Sequence, residues 1–341
     1  MAGNVGIPSP NDLNELFISV NTAWTAMDLT RNTQAETLSY FVNSPKSDSL
    51  SLPLINSSSA PTSLPVGMDR QFMDPQAFKQ VIYHTYKVPQ SSFQVFSQQL
   101  LSDTYSLLSL QNMAKGVLDG ARQLWARELA KTINANTVGF DGVSHINSAH
   151  PVNPLVPALG TYSNDVGAAD LDEAGFAAAM NLLENAPWFD GMIDGGRLRK
   201  VYVVVPNMLL FTKALKVVGQ PARGVGLSAQ PGTAVGTSVA ASSFMQYSGV
   251  DYEVEVIRMP ILQSTIDGVA GSSKNWYVMN ASDAIARPYV TSVVQAPILQ
   301  MEGFDPNDHI RVLKEAYRIT WGAKGGCGNG VPREVVRATA P

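Results

Sequence analysis

Two histidines, His145 and His150, lie five residues apart and just behind Asp141. Imidazoles beside a carboxylate can hold a divalent metal, but no third ligand follows at a fitting interval, and the segment is loop-like. Of the other two histidines, His84 and His309, the second stands between Asp308 and Ile310 in a strand-like run and reads as a hydrogen-bonded structural residue. Cys327 is the single cysteine. It excludes an intrachain disulfide and any zinc site built on several cysteines, and no histidine neighbours it in sequence to activate its thiol. The chain has no G-x-S-x-G elbow, no H-E-x-x-H and no G-x-x-x-x-G-K-[ST] phosphate loop. Asp172 and Glu173 read as charges at a helix start, where the helix dipole favours them. These patterns assign no catalytic residue, no cofactor-binding residue and no metal ligand, and the chain is not read as an enzyme.

Composition points towards contact with other chains. The chain has 341 residues, enough for two domains or one large one. Hydrophobic residues make up 45% but charged residues only 15%, against roughly 25% in ordinary soluble domains. No run approaches the roughly 18 apolar residues that cross a bilayer. A surface this poor in charge is suited to burial between subunits. The first residues, MAGNVGIPSPNDLNELF, lack the basic and apolar regions of a secretory signal. One cysteine fits folding in a reducing cytoplasm. The net charge of −4 argues against a chain built mainly to hold nucleic acid. Residues 1–69 carry only Arg31 and Lys46 against Asp12, Glu15, Asp28, Glu36, Asp48 and Asp69, so a DNA-condensing N-terminal arm is not expected.

The elements that would position any site are legible in part. A short helix is predicted after Asn11 or Asp12, with Leu13, Leu16, Phe17 and Val20 on one face. Residues 39–66 are rich in Ser and Pro and read either as a disordered linker or as an extended loop ordered by neighbouring subunits. Residues 78–100 read as two strands forming a hairpin about a turn at Pro89 to Ser92. The clearest helix is 104–135, where Leu107, Leu110, Ala114, Val117, Ala121 and Leu124 recur at three- and four-residue spacing. Leu118, Trp125 and Leu129 widen the stripe, and Asp103 is a candidate cap. Its length would be roughly 48 Å. A second helix is predicted at about 170–186. KVYVVV (residues 200–205) reads as a buried strand, with Pro206 in the first turn of a helix over 207–218. Residues 219–249 read as a long loop. Further strands are expected at about 251–259, 275–279 and 310–320. The glycines of GAKGGCGNG (Gly322 to Gly330) read as a turn that needs positive φ.

Several segments resemble the Mu-like major head subunit family of tailed bacteriophages. They are RQFMDPQAF (Arg70 to Phe78), FDG (Phe140 to Gly142) with SAHPVN (Ser148 to Asn153), VYVVVPNMLLFTKALKVVG (Val201 to Gly219), Asn275-Trp276-Tyr277, Ala284 to Pro288, and the run from Phe304 through Tyr317 to Gly322 and Gly325. They occur in the family's order over roughly residues 70–325. The resemblance implies an α+β fold, the tailed-phage capsid (Hong Kong ninety-seven) fold. In that fold 1–38 is the N-terminal arm and 39–100 an extended loop with a hairpin. Residues 101–169 are a peripheral domain with spine helix 104–135, 170–285 an axial domain, and 286–341 a return to the peripheral domain with a C-terminal tail. Two features depart from the family. The hairpin carries less charge than the family's, and Gly328 to Pro341 lacks its aromatic ending, which leaves the tail's role open.

The implied function is that of a major capsid protein, whose pentamers and hexamers close into an icosahedral head around the genome. Self-contacts are expected at Phe78, Val81, Tyr83, Tyr86, Phe93 and Phe96 of the hairpin. Implied partners are further copies of the chain, a portal, a separate scaffold and decoration proteins, with weak nonspecific contact to packaged DNA, no membrane and no cofactor. Because the chain begins at Met1, no removal of an N-terminal scaffolding segment is expected. The implied location is the virion, with host cytoplasm during assembly. Two rival readings remain open here: an encapsulin-like nanocompartment shell, and a hydrolase whose site is assembled from scattered residues.

Overall fold

Alternation of apolar residues along the strands builds two five-stranded sheets, and the long apolar stripe of one helix is buried in the core they share. The computed structural model describes residues 10–26, 33–43, 48–53, 79–89, 92–96, 107–189, 191–193, 198–218, 253–282, 287–302 and 316–341. In chain order the helices are α1 (Pro10–Ala26), α2 (Thr33–Leu38), α3 (Leu107–Ala135), α4 (Glu173–Glu184) and α5 (Met208–Val218). The strands are β1 (Tyr40–Asn43), β2 (Ser49–Pro53), β3 (Lys79–Tyr83), β4 (Thr85–Lys87), β5 (Phe93–Phe96), β6 (His150–Pro151), β7 (Thr161–Tyr162) and β8 (Asp165–Ala168). They continue with β9 (Lys200–Val205), β10 (Glu253–Arg258), β11 (Asn275–Asn280), β12 (Tyr289–Glu302), β13 (Ala316–Asn329) and β14 (Val335–Thr339).

The first sheet is built on the long antiparallel pair β12 and β13. β1 lies parallel along β12, with Tyr40 opposite Val290. β4 and β5 lie one after the other along the other edge of β13. This corrects the hairpin expected over residues 78–100, because its two runs do not pair with each other. β13 offers one continuous edge, and Pro89, which has no N–H to give a ladder, falls in the gap between the two short strands. The hairpin of this region is instead β2 with β3, with Leu50 opposite Ile82 and Pro53 opposite Lys79. Along β12, register shifts at 293–295 and 295–298 and the presence of Pro297 interrupt the strand, which blunts it against stray pairing.

The glycine tract is the largest departure from expectation. It is not a turn: Gly322, Gly325, Gly326 and Gly328 lie inside β13, and none has positive φ. A Cβ on Gly325 would stand 2.5 Å from both the Ser292 carbonyl oxygen and Cη2 of Trp125. Lack of a side chain lets β12 and α3 close on this strand.

Helix α3 runs 29 residues, about 44 Å, and buries the predicted stripe from Leu110 through Leu129, together with Ile133. Trp321 Nε1 of β13 donates to the Val117 carbonyl at 3.0 Å and ties the helix to the sheet. Leu16, Phe17 and Val20 of α1 and Leu38 of α2 join the same core.

The second sheet has the order β10-β9-β11-β14-β8. Alternation in β9 sends Tyr202 and Val204 to the core around α3, and Val201, Val203 and Val205 to a second core with α4 and α5. Burial on both faces explains why that strand is almost wholly apolar. Asp172 caps α4 by accepting from Gly175 N at 2.8 Å. Asn207, not Pro206, caps α5, accepting from Leu210 N at 2.8 Å. Pro206 therefore precedes the cap and does not sit in the first turn. The tail ends as β14, between β11 and β8. The 310–320 strand appears as β13 from Ala316; its expected first residues, the Asp103 cap and the 219–249 loop lie outside the described residues.

Candidate assembly surface

The hairpin β2–β3 is fixed to the first sheet at its stem. His84 Nε2 and Ser292 Oγ of β12 are 2.8 Å apart, and His84 N donates to the Asp48 carbonyl at 3.0 Å. Lys324 Nζ of β13 lies 2.7 Å from Asp48 Oδ1, and each holds the other charged: Asp48 is lowered and Lys324 raised, both chiefly by their hydrogen bond. The glycines of β13 form the bed of the stem. A Cβ on Gly328 would stand 2.7 Å from Cγ1 of Ile82, and one on Gly326 would collide with the Tyr83 carbonyl oxygen. The stem thus crosses the outer face of β13, while Trp125 and Trp321 fill the inner face.

The six residues expected to touch neighbouring subunits are not equivalent. Tyr83 and Tyr86 are 74% and 75% exposed, and Lys324 Nζ stands 5.3 Å over the Tyr86 ring. Val81 is half-buried in β3. Phe93 is a correction: it is 1% exposed and belongs to the core, because it pairs with Ile319 and shares that residue's inward face. Phe78 and the Phe96 side chain lie outside the described residues. Outside the expected set, Val88 is 70% exposed, and Ile298, paired with Gly322, is 53% exposed. Val88 follows β4 and Ile298 lies in β12, and only the register of each strand on β13 places them beside Gly322.

The candidates for chemistry are bound into structure. His150 Nδ1 and Asp141 Oδ2 are 2.5 Å apart, His150 Nε2 is 3.1 Å from the His145 carbonyl, and the His150 ring stacks on Tyr162. The motif therefore closes the turn that follows α3. His145 is buried against Tyr289, with ring centroids 4.9 Å apart. Burial, then the neighbouring His150, lowers its pKa to about 3, so the imidazole is neutral. Cys327 faces the core from β13, and burial pushes its thiol up to about 12. Such a thiol is a poor nucleophile. Among the described residues no group of three or more His, Cys, Asp or Glu side chains could hold a metal. Among them, too, no helix is long and apolar enough to cross a membrane.

Where the two sheets meet, Arg333 Nε bonds Glu334 Oε1 at 3.0 Å and its guanidinium lies 3.0 Å from the Trp188 ring centroid. Asn280 Nδ2 donates to Glu334 Oε2 at 2.6 Å. Asn164 donates to the His145 and Pro332 carbonyls, at 2.8 and 2.9 Å. This buried network holds the crossing from β13 to β14.

No protein-family model matches the chain, and no curated protein matches it. Solved structures do. The capsid of the cyanophage P-SCSP1u is similar with a TM-score of 0.50 at 14% identity, over 90% of this chain and 87% of that one. The mature capsid of bacteriophage PhiM1 gives 0.46 at 14% identity, over 90% and 86%. The virus-like particle from Pyrococcus furiosus gives 0.43 at 11% identity, over 95% of each chain. The likeness to the cyanophage capsid establishes the fold. The chain has the α+β phage-capsid fold, the Hong Kong ninety-seven fold.

Proposed function

We propose that this chain is the major capsid protein of a tailed phage, self-assembling as hexamers and pentamers into a closed icosahedral head. The observation that carries the reading is the fold likeness to the cyanophage capsid along 90% of the chain. The clamped stem of the β2–β3 hairpin, the exposed Tyr83 and Tyr86 beside it, and a charge content of 15% support it. Stability would come from many modest interfaces repeated in a closed array. The ordered Mu-like segments support placing the protein near that family. On this reading the first sheet and α3 are the peripheral domain, and the second sheet with α4 and α5 is the axial domain, with β14 contributing to the latter. Of residues 39–100, which were expected to form one extended loop, β1, β4 and β5 belong to the chain's own first sheet, so among the described strands only the β2–β3 hairpin is left to reach towards a neighbouring subunit. The role is structural, not catalytic. The partners are further copies, a portal, a separate scaffold, decoration proteins and weakly held DNA, and the location is the virion after assembly in the host cytoplasm.

The purified chain should elute as capsomers or shells in size-exclusion chromatography and show closed particles in negative stain. A chain that stays monomeric or dimeric under every assembly condition would refute the reading. Particles enclosing a protein cargo in place of DNA would move it to a nanocompartment. Deleting residues 45–65 should abolish normal closed shells.

A further inference from the structure

Where β12 begins, polar atoms of three buried side chains make no hydrogen bond: both ring nitrogens of His145, the hydroxyl of Tyr289 and Oδ1 of Asn329. Each of the three residues is 1% exposed. They share one place. Tyr289 and Asn329 are cross-strand partners at the end of the β12–β13 ladder. The His145 ring packs on the Tyr289 ring, with centroids 4.9 Å apart. Thr137 ties the other two together, because its carbonyl accepts from His145 N at 3.0 Å and from Asn329 Nδ2 at 2.9 Å. A buried polar group left unmet is costly and rare, and three residues that meet at one spot point to a ligand that satisfies them.

The chemistry of the three narrows what that ligand is. The Thr137 carbonyl can only accept, so it fixes the Asn329 amide with its nitrogen inward and its oxygen as an unfilled acceptor. Burial keeps His145 neutral, so one ring nitrogen carries a proton and the other a bare lone pair. The Pro288 carbonyl beside the ring already accepts from Gly330 N at 2.7 Å and can take at most that one ring proton. Two acceptors and one hydroxyl are left over. Two acceptors repel an anion, and among the described residues no group of three or more His, Cys, Asp or Glu could hold a metal. The fitting molecule is small and neutral, donates twice and accepts once.

We propose that an ordered water is bound between these side chains, donating to Asn329 Oδ1 and to the bare nitrogen of His145 and accepting from the Tyr289 hydroxyl. Three bonds are the usual number for a buried water. It joins the turn after α3 to the first residue of β12 and the last residue of β13, just before the chain crosses to β14. The site does not depend on the capsid reading.

The test is a map of the full chain fine enough to place ordered water. One peak should stand about 2.7–3.2 Å from a His145 ring nitrogen and from Asn329 Oδ1. The same peak should be lost in His145→Phe, whose ring keeps the packing on Tyr289 and offers no polar atom. A His145 nitrogen bonded directly to a protein acceptor and donor on both sides, or a wild-type map with no peak there, would overturn the proposal. So would a peak about 2.1 Å from the ring nitrogen, which would be a metal ion. Nitrogen-15 spectra of histidine-labelled wild type at pH 7 give a reading that needs no variant. They should show one protonated and one bare nitrogen on the His145 ring, and a ring with both nitrogens protonated would refute the site, because it would offer the water no acceptor.

Discussion

Replacing Gly325 by alanine tests whether the glycine tract is a packed strand. The added Cβ would lie 2.5 Å from the Ser292 carbonyl oxygen and 2.5 Å from Cη2 of Trp125, well inside van der Waals contact on both sides. One obstacle is backbone paired in the β12–β13 ladder, and the other is a ring buried at 2% exposure, so neither can swing aside. Overpacking of this kind costs about 1–3 kcal/mol. At roughly 2 °C per kcal/mol, the melting temperature should fall by about 2–6 °C. Gly322→Ala is the internal control: its Cβ meets nothing within 4 Å among the described residues, so relief of the glycine penalty should stabilise the chain by about 0.5–1 kcal/mol. Thermal and urea melts followed by tryptophan fluorescence read both, since Trp125 and Trp321 sit beside the tract. Equal effects at the two positions, or a Gly325→Ala protein as stable as the parent, would refute the packed-strand account.

Acid should destabilise the fold through His145. Its folded pKa, about 3, lies below the ordinary histidine value of 6.5, so the unfolded chain binds the proton more readily. The contribution is complete above pH 6.5 and is lost as pH falls towards 3, up to about 5 kcal/mol in all. His145→Phe should flatten that part of the stability–pH curve, and an unchanged slope would contradict the assignment. Cys327 titrates in the opposite sense: its thiol is raised, so stability is full below about pH 9 and declines towards pH 12. A disulfide exchange reagent at pH 8 should therefore label this half-buried thiol at least tenfold more slowly in the native protein than in the unfolded one, and equal rates would count against its inward placement. Asp141→Ala removes one partner of a buried pair whose side chains are 0% and 3% exposed, and should cost about 3 kcal/mol by urea titration. A loss below 1 kcal/mol would mean that the turn after α3 is held by something else.

What could be read from the residues alone was what depends on near neighbours. The stripe of α3, the buried β9 and the acidic start of α4 at Asp172 and Glu173 all follow from local spacing, and the structure keeps them. The glycine tract could not be read in that way. Glycine prefers neither strand nor turn strongly enough to decide, and the reasons for each one, Trp125, Tyr83 and Ile82, lie 200 or more residues away in sequence. Residues 85–96 were misjudged for a related reason. Two short alternating runs separated by a proline look like a hairpin until β13 is seen to offer both of them one edge. The same register decides faces. Tyr86 opposite Lys324 points outward, whereas Phe93 opposite Ile319 points into the core.

The central claim is assembly, and cryo-electron microscopy of the purified full-length chain tests it most directly. Closed icosahedral particles whose lattice of hexamers and pentamers is fitted by this fold are expected. A chain that stays monomeric or dimeric under every assembly condition would contradict it.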